Sequence, residues 1–236
     1  MSWDSTTATR RLAGLPEPEP LHPDLAARLV RRAGRLPALE HPLIVQAPYI
    51  PPLASYVNGL YESLRQRAEA LLTARNFDSW LDLHSRPHRA EVLVLNANRI
   101  EHETWWSLLA SVFRSDPPWH DDEPRHWTRA LSSDKPQRTV FMTRQERELL
   151  DTLPEMIPVW RAVPAADPQS AISLFLDLET ARDFAREAIE QLQLEPADFV
   201  LQSARIPRSR VLGTSLARGM PELLAADGTV EGVTPV

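Results

Sequence analysis

The sequence predicts an α+β protein, with helices first and a small sheet after them. Through about residue 153, apolar residues recur mostly at three- and four-residue spacing, the period of one helix face. From Ile157 onward they fall instead into short β-rich runs with a single helical stretch among them. That succession, rather than a regular strand–helix alternation, reads as segregated layers. With 236 residues, of which 43% are apolar and 25% charged, the chain can bury a core without disulfide or metal staples.

Residues 1–52 read as a Pro-rich arm. Pro16, Pro18, Pro20 and Pro23 extend the chain, Leu21–Leu36 forms a short basic helix, and the proline-interrupted stretch from Pro37 to Pro52 stays irregular. Residues 53–153 form a helical region. In Leu53–Arg75 the positions Tyr56, Leu60, Leu64, Ala68, Leu71 and Leu72 mark a buried stripe. Short helices follow at Asp78–Leu81 and Arg89–Ile100. His102–Arg114 is a longer one, in which Trp105 and Trp106, being adjacent, cannot share a face, so that one packs inside and one at an edge. Residues 115–139 read as loop with one turn at Trp127–Leu131. Thr143 and Glu146 then form a capping box that opens a helix ending before Pro154.

Residues 154–236 are strand-rich. Strands are expected at Ile157–Val163, Ala171–Leu176, Asp198–Ile206, Val211–Thr214 and Glu222–Ala225. Between the second and third lies a helix, Leu178–Leu194, capped by Asp177 and apolar at Ala181, Phe184, Ala185, Ala188 and Leu192.

Composition excludes several chemistries. There is no cysteine, which removes thiol nucleophiles, disulfides and Cys-based zinc sites and suits a cytoplasmic protein. The net charge of −6 argues against non-specific nucleic-acid binding. No apolar run reaches transmembrane length, so no membrane partner is expected, and the polar, Thr-rich start is unlike a signal peptide. None of the seven glycines lies between Gly59 and Gly213, and neither a P-loop nor a dinucleotide fingerprint occurs.

Three polar residues stand out by position. Arg161 lies inside the apolar run Val159–Val163, where a charge is costly without a partner; Ser173 is flanked by apolar residues; Glu222 begins the run Glu222–Ala225 after the turn-like Ala217–Pro221. A cation, a hydroxyl and a carboxylate on three strands of one sheet could converge on one cleft. A structural ion pair between Arg161 and Glu222 is the plainer alternative.

The segments Val159-Trp160-Arg161-Ala162, then Ser170-Ala171-Ile172-Ser173 leading into Leu176-Asp177-Leu178-Glu179-Thr180-Ala181-Arg182-Asp183-Phe184-Ala185, and last Arg218-Gly219-Met220-Pro221-Glu222 resemble, in order and spacing, the Arg–Ser–Glu class of ADP-ribosyltransferase-fold proteins. Leu83–Arg89, the Trp105-Trp106 helix and the Thr143–Leu150 helix look like the helical half of phage- and bacteria-borne members, so that the resemblance covers roughly residues 76–226. It implies a split-sheet catalytic core that uses NAD as substrate. Glu222 would be the catalytic carboxylate, Arg161 a clamp on a phosphate or ribose oxygen, and Ser173 a brace at the nicotinamide ribose. The backbone of Ala162 would hold the carboxamide, with Phe184 flanking the ligand or packing in the core. The expected function is mono-ADP-ribosyl transfer to a protein or nucleic-acid acceptor, with a toxin-like or phage-related role. The alternative is an inactive module that binds NAD, or a protein partner through its helical region or N-terminal arm. A third reading is a helical interaction protein in which the three residues are coincidental.

Two positions depart from the family. Ala162 stands where glycine commonly follows the arginine. Met220 stands where arginine-modifying members carry Glu or Gln, which argues against arginine as acceptor. Another amino acid, a nucleobase, a small molecule, plain NAD hydrolysis or lost activity all stay open.

Other clusters are weaker. His120, Asp121, Asp122, Glu123 and His126 have the ligand types of a divalent metal site, or of an exposed acidic loop. His84, Arg86, His88 and Arg89 could meet a phosphate, or be helix-end charges around a buried histidine. Arg205 could reach a phosphate or sit at a solvated edge.

Overall fold

Strand β4 (Met156–Pro164) runs down the middle of a six-stranded antiparallel sheet, and the sequence explains why. Ile157, Val159 and Val163 alternate with Trp160 and Ala162, so both faces of the strand are apolar enough to be covered. The computed structural model describes residues 19–31, 36–115, 124–165, 172–192, 195–217, 219–226 and 228–236, and it is of the α+β class. The chain divides into two compact units, residues 1–89 and 90–236. The boundaries read from sequence, 52/53 and 153/154, both fall inside these units.

In the first unit, the described part of the segment expected to be an irregular arm is folded, while Pro16 and Pro18 lie outside the described residues. Helix α1 spans only Pro23–Ala26, and strands β1 (Leu29–Val30), β2 (Ala38–His41) and β3 (Ile44–Gln46) form an antiparallel sheet. The prolines bracket these short strands rather than interrupt them. Leu25, Leu39, Ile44 and Tyr49 pack with Val57 and Tyr61 of helix α2 (Ala54–Thr73) into one core. Asp24 accepts a 2.7 Å hydrogen bond from the Tyr61 hydroxyl, and Asn58 bonds the backbone of Pro20 and His22. This cover moves the buried stripe one position along in the first half of α2, while Ala68 and Leu72 are inside as expected. Ala54, Val57, Tyr61, Ala68 and Leu72 are inside, whereas Tyr56 and Leu60 are exposed. Helix α3 (Phe77–Asp82) closes the unit, capped by Asn76.

In the second unit, helix α4 stops at Leu95 (Arg89–Leu95, the unit boundary falling after its first residue), followed by a 3-10 turn at Ala97–Arg99 in place of the longer helix expected. Helix α5 (His102–Ser115) buries both tryptophans, contrary to the one-in, one-edge expectation. Residues 132–138 fold back over it: the Trp106 indole donates to the carbonyls of Lys135 and Pro136, Lys135 Nζ lies 5.4 Å above the Trp105 ring, and Arg138 lies at the same distance above Trp106. The turn expected at Trp127–Leu131 is part of helix α6 (Pro124–Leu131), and Trp127 and Phe141 pack edge-on against Phe113. Helix α7 (Arg144–Thr152) opens on the anticipated capping box.

The sheet then follows the sequence closely. β5 is Ser173–Phe175, helix α8 is Leu178–Leu192, β6 is Phe199–Pro207, β7 is Val211–Ser215 and β8 is Glu222–Ala225. Thr180 N–H and Oγ1 both donate to the Asp177 carboxylate, the expected cap. Strand β9 (Glu231–Pro235), not foreseen, adds to the edge beside β6, and the order is β7-β8-β5-β4-β6-β9. One face of the sheet carries Ile157, Val159, Leu174, Ala204, Ile206, Leu223 and Ala225. The other packs Ala162 and Phe175 against Ala181, Phe184 and Ala185 of α8. Among the described residues, no helix is long and apolar enough to cross a membrane.

Candidate functional site

Strand β4 pairs with β6 at nine consecutive register positions, Met156–Pro207 through Pro164–Phe199. With β5 it pairs at one, Trp160–Phe175. Continued past that pair, an antiparallel register would bring Arg161 opposite Leu174 and Ala162 opposite Ser173. Among the described residues neither pairing forms. β5 is held instead on its other side by β8, at Ser173–Leu224, Leu174–Leu223 and Phe175–Glu222. The sheet is therefore two three-stranded halves joined by a short ladder at Trp160–Phe175.

Residues paired across antiparallel strands point to the same face, and neighbours along a strand to opposite faces. Trp160, Phe175, Glu222 and Ser215 thus form one row across four strands. Ser173 and Ala162 lie on that same face. The core clusters agree, since Phe175 and Ala162 pack with α8, while Val159, Leu174 and Leu223 pack on the reverse side.

Glu222 and Ser173 are accordingly brought together on one face, both buried, at 3% and 7% exposure. Arg161 is not brought there. It projects from the reverse face, buried, and its Nε donates a 2.8 Å hydrogen bond to Gln202 Oε1 on the paired residue of β6. That bond meets part of the cost of enclosing a guanidinium. The alternation rule, applied to Val159–Val163 in the sequence, shows that Arg161 and Ala162 oppose each other. It cannot show which of them shares a face with Ser173, because that depends on cross-strand register. Phe184, read as flanking a ligand or packing in the core, lies in the core: its ring sits 4.8 Å from that of Phe175 and packs with Ala162 and Ala181. Exposed Arg205 lies in the β6–β9 edge ladder opposite Glu231.

The approach to Glu222 is held by a residue that sequence reading took only for a cap. Glu146, 2% exposed, accepts from Thr143 N–H at 2.7 Å, from Arg114 at 3.1 Å and from Leu216 N–H at 2.9 Å, while its own carbonyl accepts from Thr214 Oγ1 at 2.8 Å. Burial by itself raises a carboxyl pKa; here the hydrogen bonds from Thr143 and Leu216 and the charge of Arg114 outweigh it and leave Glu146 below its ordinary value. One carboxylate thus ties α5 and α7 to the segment between β7 and β8. That segment then turns through Gly219, whose φ of +70° is the left-handed region that glycine enters without strain, and whose N–H donates to the Leu216 carbonyl. Three residues later comes Glu222.

The remaining clusters resolve differently. His84 is buried with Nδ1 2.7 Å from the Trp80 carbonyl, and burial pushes it down to about 4. Arg89 donates to the His84 carbonyl and to Asp82. His84 and Arg89 thus hold the end of α3 in place. Of the acidic segment, residues 120–123 lie outside the described residues. Among the described ones no group of three His, Asp or Glu side chains is placed to hold a metal.

Comparison with family models, with curated proteins and with solved structures finds no match to this chain.

Proposed function

We propose that the chain is an NAD-dependent mono-ADP-ribosyltransferase acting on a macromolecular acceptor in the cytoplasm. The observation that carries this reading is a buried carboxylate, Glu222, on the same sheet face as Ser173 and close to the point where β4 and β5 stop pairing. In this reading the main-chain groups of Ala162 and Ser173, two positions along from the Trp160–Phe175 pair, turn to the ligand. Backbone atoms so placed can hold a flat carboxamide. The residues reach it in the order of the family resemblance: the arginine strand, the serine strand, helix α8 and, late, the glutamate strand.

The chemistry follows from the residue types. The bond between the ribose C1′ and the nicotinamide nitrogen breaks, its electron pair neutralising the pyridinium. The acceptor's lone pair forms the new bond to C1′, and the acceptor proton passes to solvent. The transition state is oxocarbenium-like, and Glu222 offers a fixed negative charge for the ribose and an acceptor for its 2′-hydroxyl. Ser173 is placed to brace the same sugar. Arg161 lies on the reverse face of β4, held there by Gln202, and in this reading holds a phosphate or ribose oxygen from that side. Phe184 supports the wall behind Ala162.

One observation favours the second reading, a module that binds NAD or a protein without turning NAD over: Arg161 does not share the face of Ser173 and Glu222. The test is incubation of the full chain with NAD labelled on the adenylate phosphate, with and without cell lysate, following label transfer and nicotinamide release. Label on a macromolecule that vanishes in Glu222→Gln supports transfer. NAD binding with neither label nor nicotinamide supports the second reading, and the absence of NAD binding rejects transfer and leaves of the second reading only a protein-binding module. Arg161→Ala should weaken NAD binding about tenfold or more at unchanged fold stability if it holds the ligand. Lost stability at unchanged affinity would make it a purely structural residue.

A further inference from the structure

Directly across the sheet from Glu222 stands a serine that the sequence did not single out. Strand β7 pairs with β8 at Gly213–Leu224, Thr214–Leu223 and Ser215–Glu222, so Ser215 shares the face of Glu222 and Thr214 lies on the reverse. Ser215 and Glu222 are each 3% exposed. Opposed residues of an antiparallel pair hold their Cβ atoms about 5 Å apart, which lets a hydroxyl on one strand reach a carboxylate on the next. The Ser215 hydroxyl oxygen accepts from Ala217 N–H at 3.3 Å, a bond that takes no part of its proton. Burying a hydroxyl is costly unless that proton also finds an acceptor.

Ser215 is held in place from behind. Both of its chain neighbours are tied to Glu146: Thr214 Oγ1 donates to the Glu146 carbonyl at 2.8 Å, and Leu216 N–H to its carboxylate at 2.9 Å. That carboxylate is anchored in turn by Thr143 N–H and Arg114. A buried, paired charge is weak evidence for stability, and its best-attested use is to fix one arrangement over others. Here the arrangement it fixes is that of the residue facing Glu222.

We propose that Ser215 is a positioning residue of the candidate site: its hydroxyl donates to the Glu222 carboxylate, and Glu146 keeps it there. The consequence for catalysis rests on the transfer reading given above. In that reaction the bond holds the carboxylate ionised and aims it along the face that carries Ser173. Ser215 itself acts only through Glu222.

The experiment uses the full chain labelled with carbon-13 at its glutamate side-chain carboxyls. The Glu222 signal is the one missing from Glu222→Gln, and it is followed through a pH titration in the parent, Ser215→Ala and Ser215→Thr. Nicotinamide release from NAD is measured on the same preparations. Loss of a donor favours the protonated carboxyl, so Ser215→Ala should raise the Glu222 midpoint by about one pH unit. Ser215→Thr, which keeps a hydroxyl on Cβ, should restore most of that shift. In turnover, Ser215→Ala should lower kcat about tenfold with KM for NAD changed by less than about twofold. The acid limb of its rate profile should move to higher pH together with the carboxyl midpoint. A purely structural serine would alter unfolding and leave that midpoint where it was. A midpoint unmoved in Ser215→Ala overturns the proposal whether or not NAD is turned over, and so does a moved midpoint with the parent's kcat. A moved midpoint in a parent chain that releases no nicotinamide keeps the Ser215–Glu222 bond and rejects the transfer reading alone.

Discussion

Strand β4 has two very different sides. Toward β6 it is zipped along its whole length, and the side chains between the two strands are core residues such as Val159, Ala204, Ile157 and Ile206. Toward β5 it holds on at Trp160–Phe175 alone, and the buried polar residues Ser173 and Glu222 lie on the β5–β8 half just beyond. A continuous ladder satisfies every backbone group and leaves nothing to bind with. Each side carries buried polar residues, Arg161 with Gln202 on the long ladder and Ser173 with Glu222 beside the short one.

Substitutions sharpen that contrast in order of expected size. Glu222→Gln, which keeps shape and removes charge, should lower NAD-dependent turnover by about 10²–10³ with NAD affinity little changed, because the carboxylate acts on charge that develops only in the transition state. Single-turnover nicotinamide release measures it, and an unchanged rate would remove Glu222 from the mechanism. Leu174→Ala, one residue from Ser173 but on the reverse, fully apolar face, should cost about 3 kcal/mol in denaturant unfolding without a specific effect on turnover per folded molecule.

Glu146→Gln should cost about 2 kcal/mol, since an amide cannot accept from Thr143, Arg114 and Leu216 together. It should also change the acid limb of stability. Because the folded carboxyl titrates below the ordinary 4.5, its contribution is complete above that value and is lost as pH falls through the lower folded one. The variant's unfolding free energy should therefore fall less steeply below pH 4.5 than that of the parent chain. Equal slopes would show that the carboxylate is not held as described. At the small end, Val233→Thr on the exposed edge strand β9 should change stability by under about 0.5 kcal/mol, and a larger loss would mean that β9 is covered in solution.

The first unit shows why some of the fold was illegible. Prolines at 37, 42, 48, 51 and 52 argue locally against regular structure, yet Ala38–His41 and Ile44–Gln46 pair between them because strands of three or four residues fit between breakers. Their cover on α2 then determined which of two adjacent stripes, Tyr56 and Leu60 or Val57 and Tyr61, went inside. Periodicity offers both stripes, and only the partner chooses. Both tryptophans of α5 are buried for the same reason, since residues 132–138 supply a second cover that no local pattern announces.

By itself, then, the sequence determined what is local: the order of helices and strands between Leu53 and Ala225, the capping box at Thr143, the Asp177 cap, and the candidates Arg161, Ser173 and Glu222 as polar residues in apolar surroundings. Cap preferences and side-chain periods act over a few residues and are written in them. The tertiary structure decided what depends on distant partners. It set Arg161 behind the sheet and Glu222 with Ser173 in front, gave Glu146 its hold on Leu216, and ended the β4–β5 ladder after one pair. Register and cover are relations between segments 10 to 70 residues apart, whose free energy belongs to the pair and is visible in neither member alone.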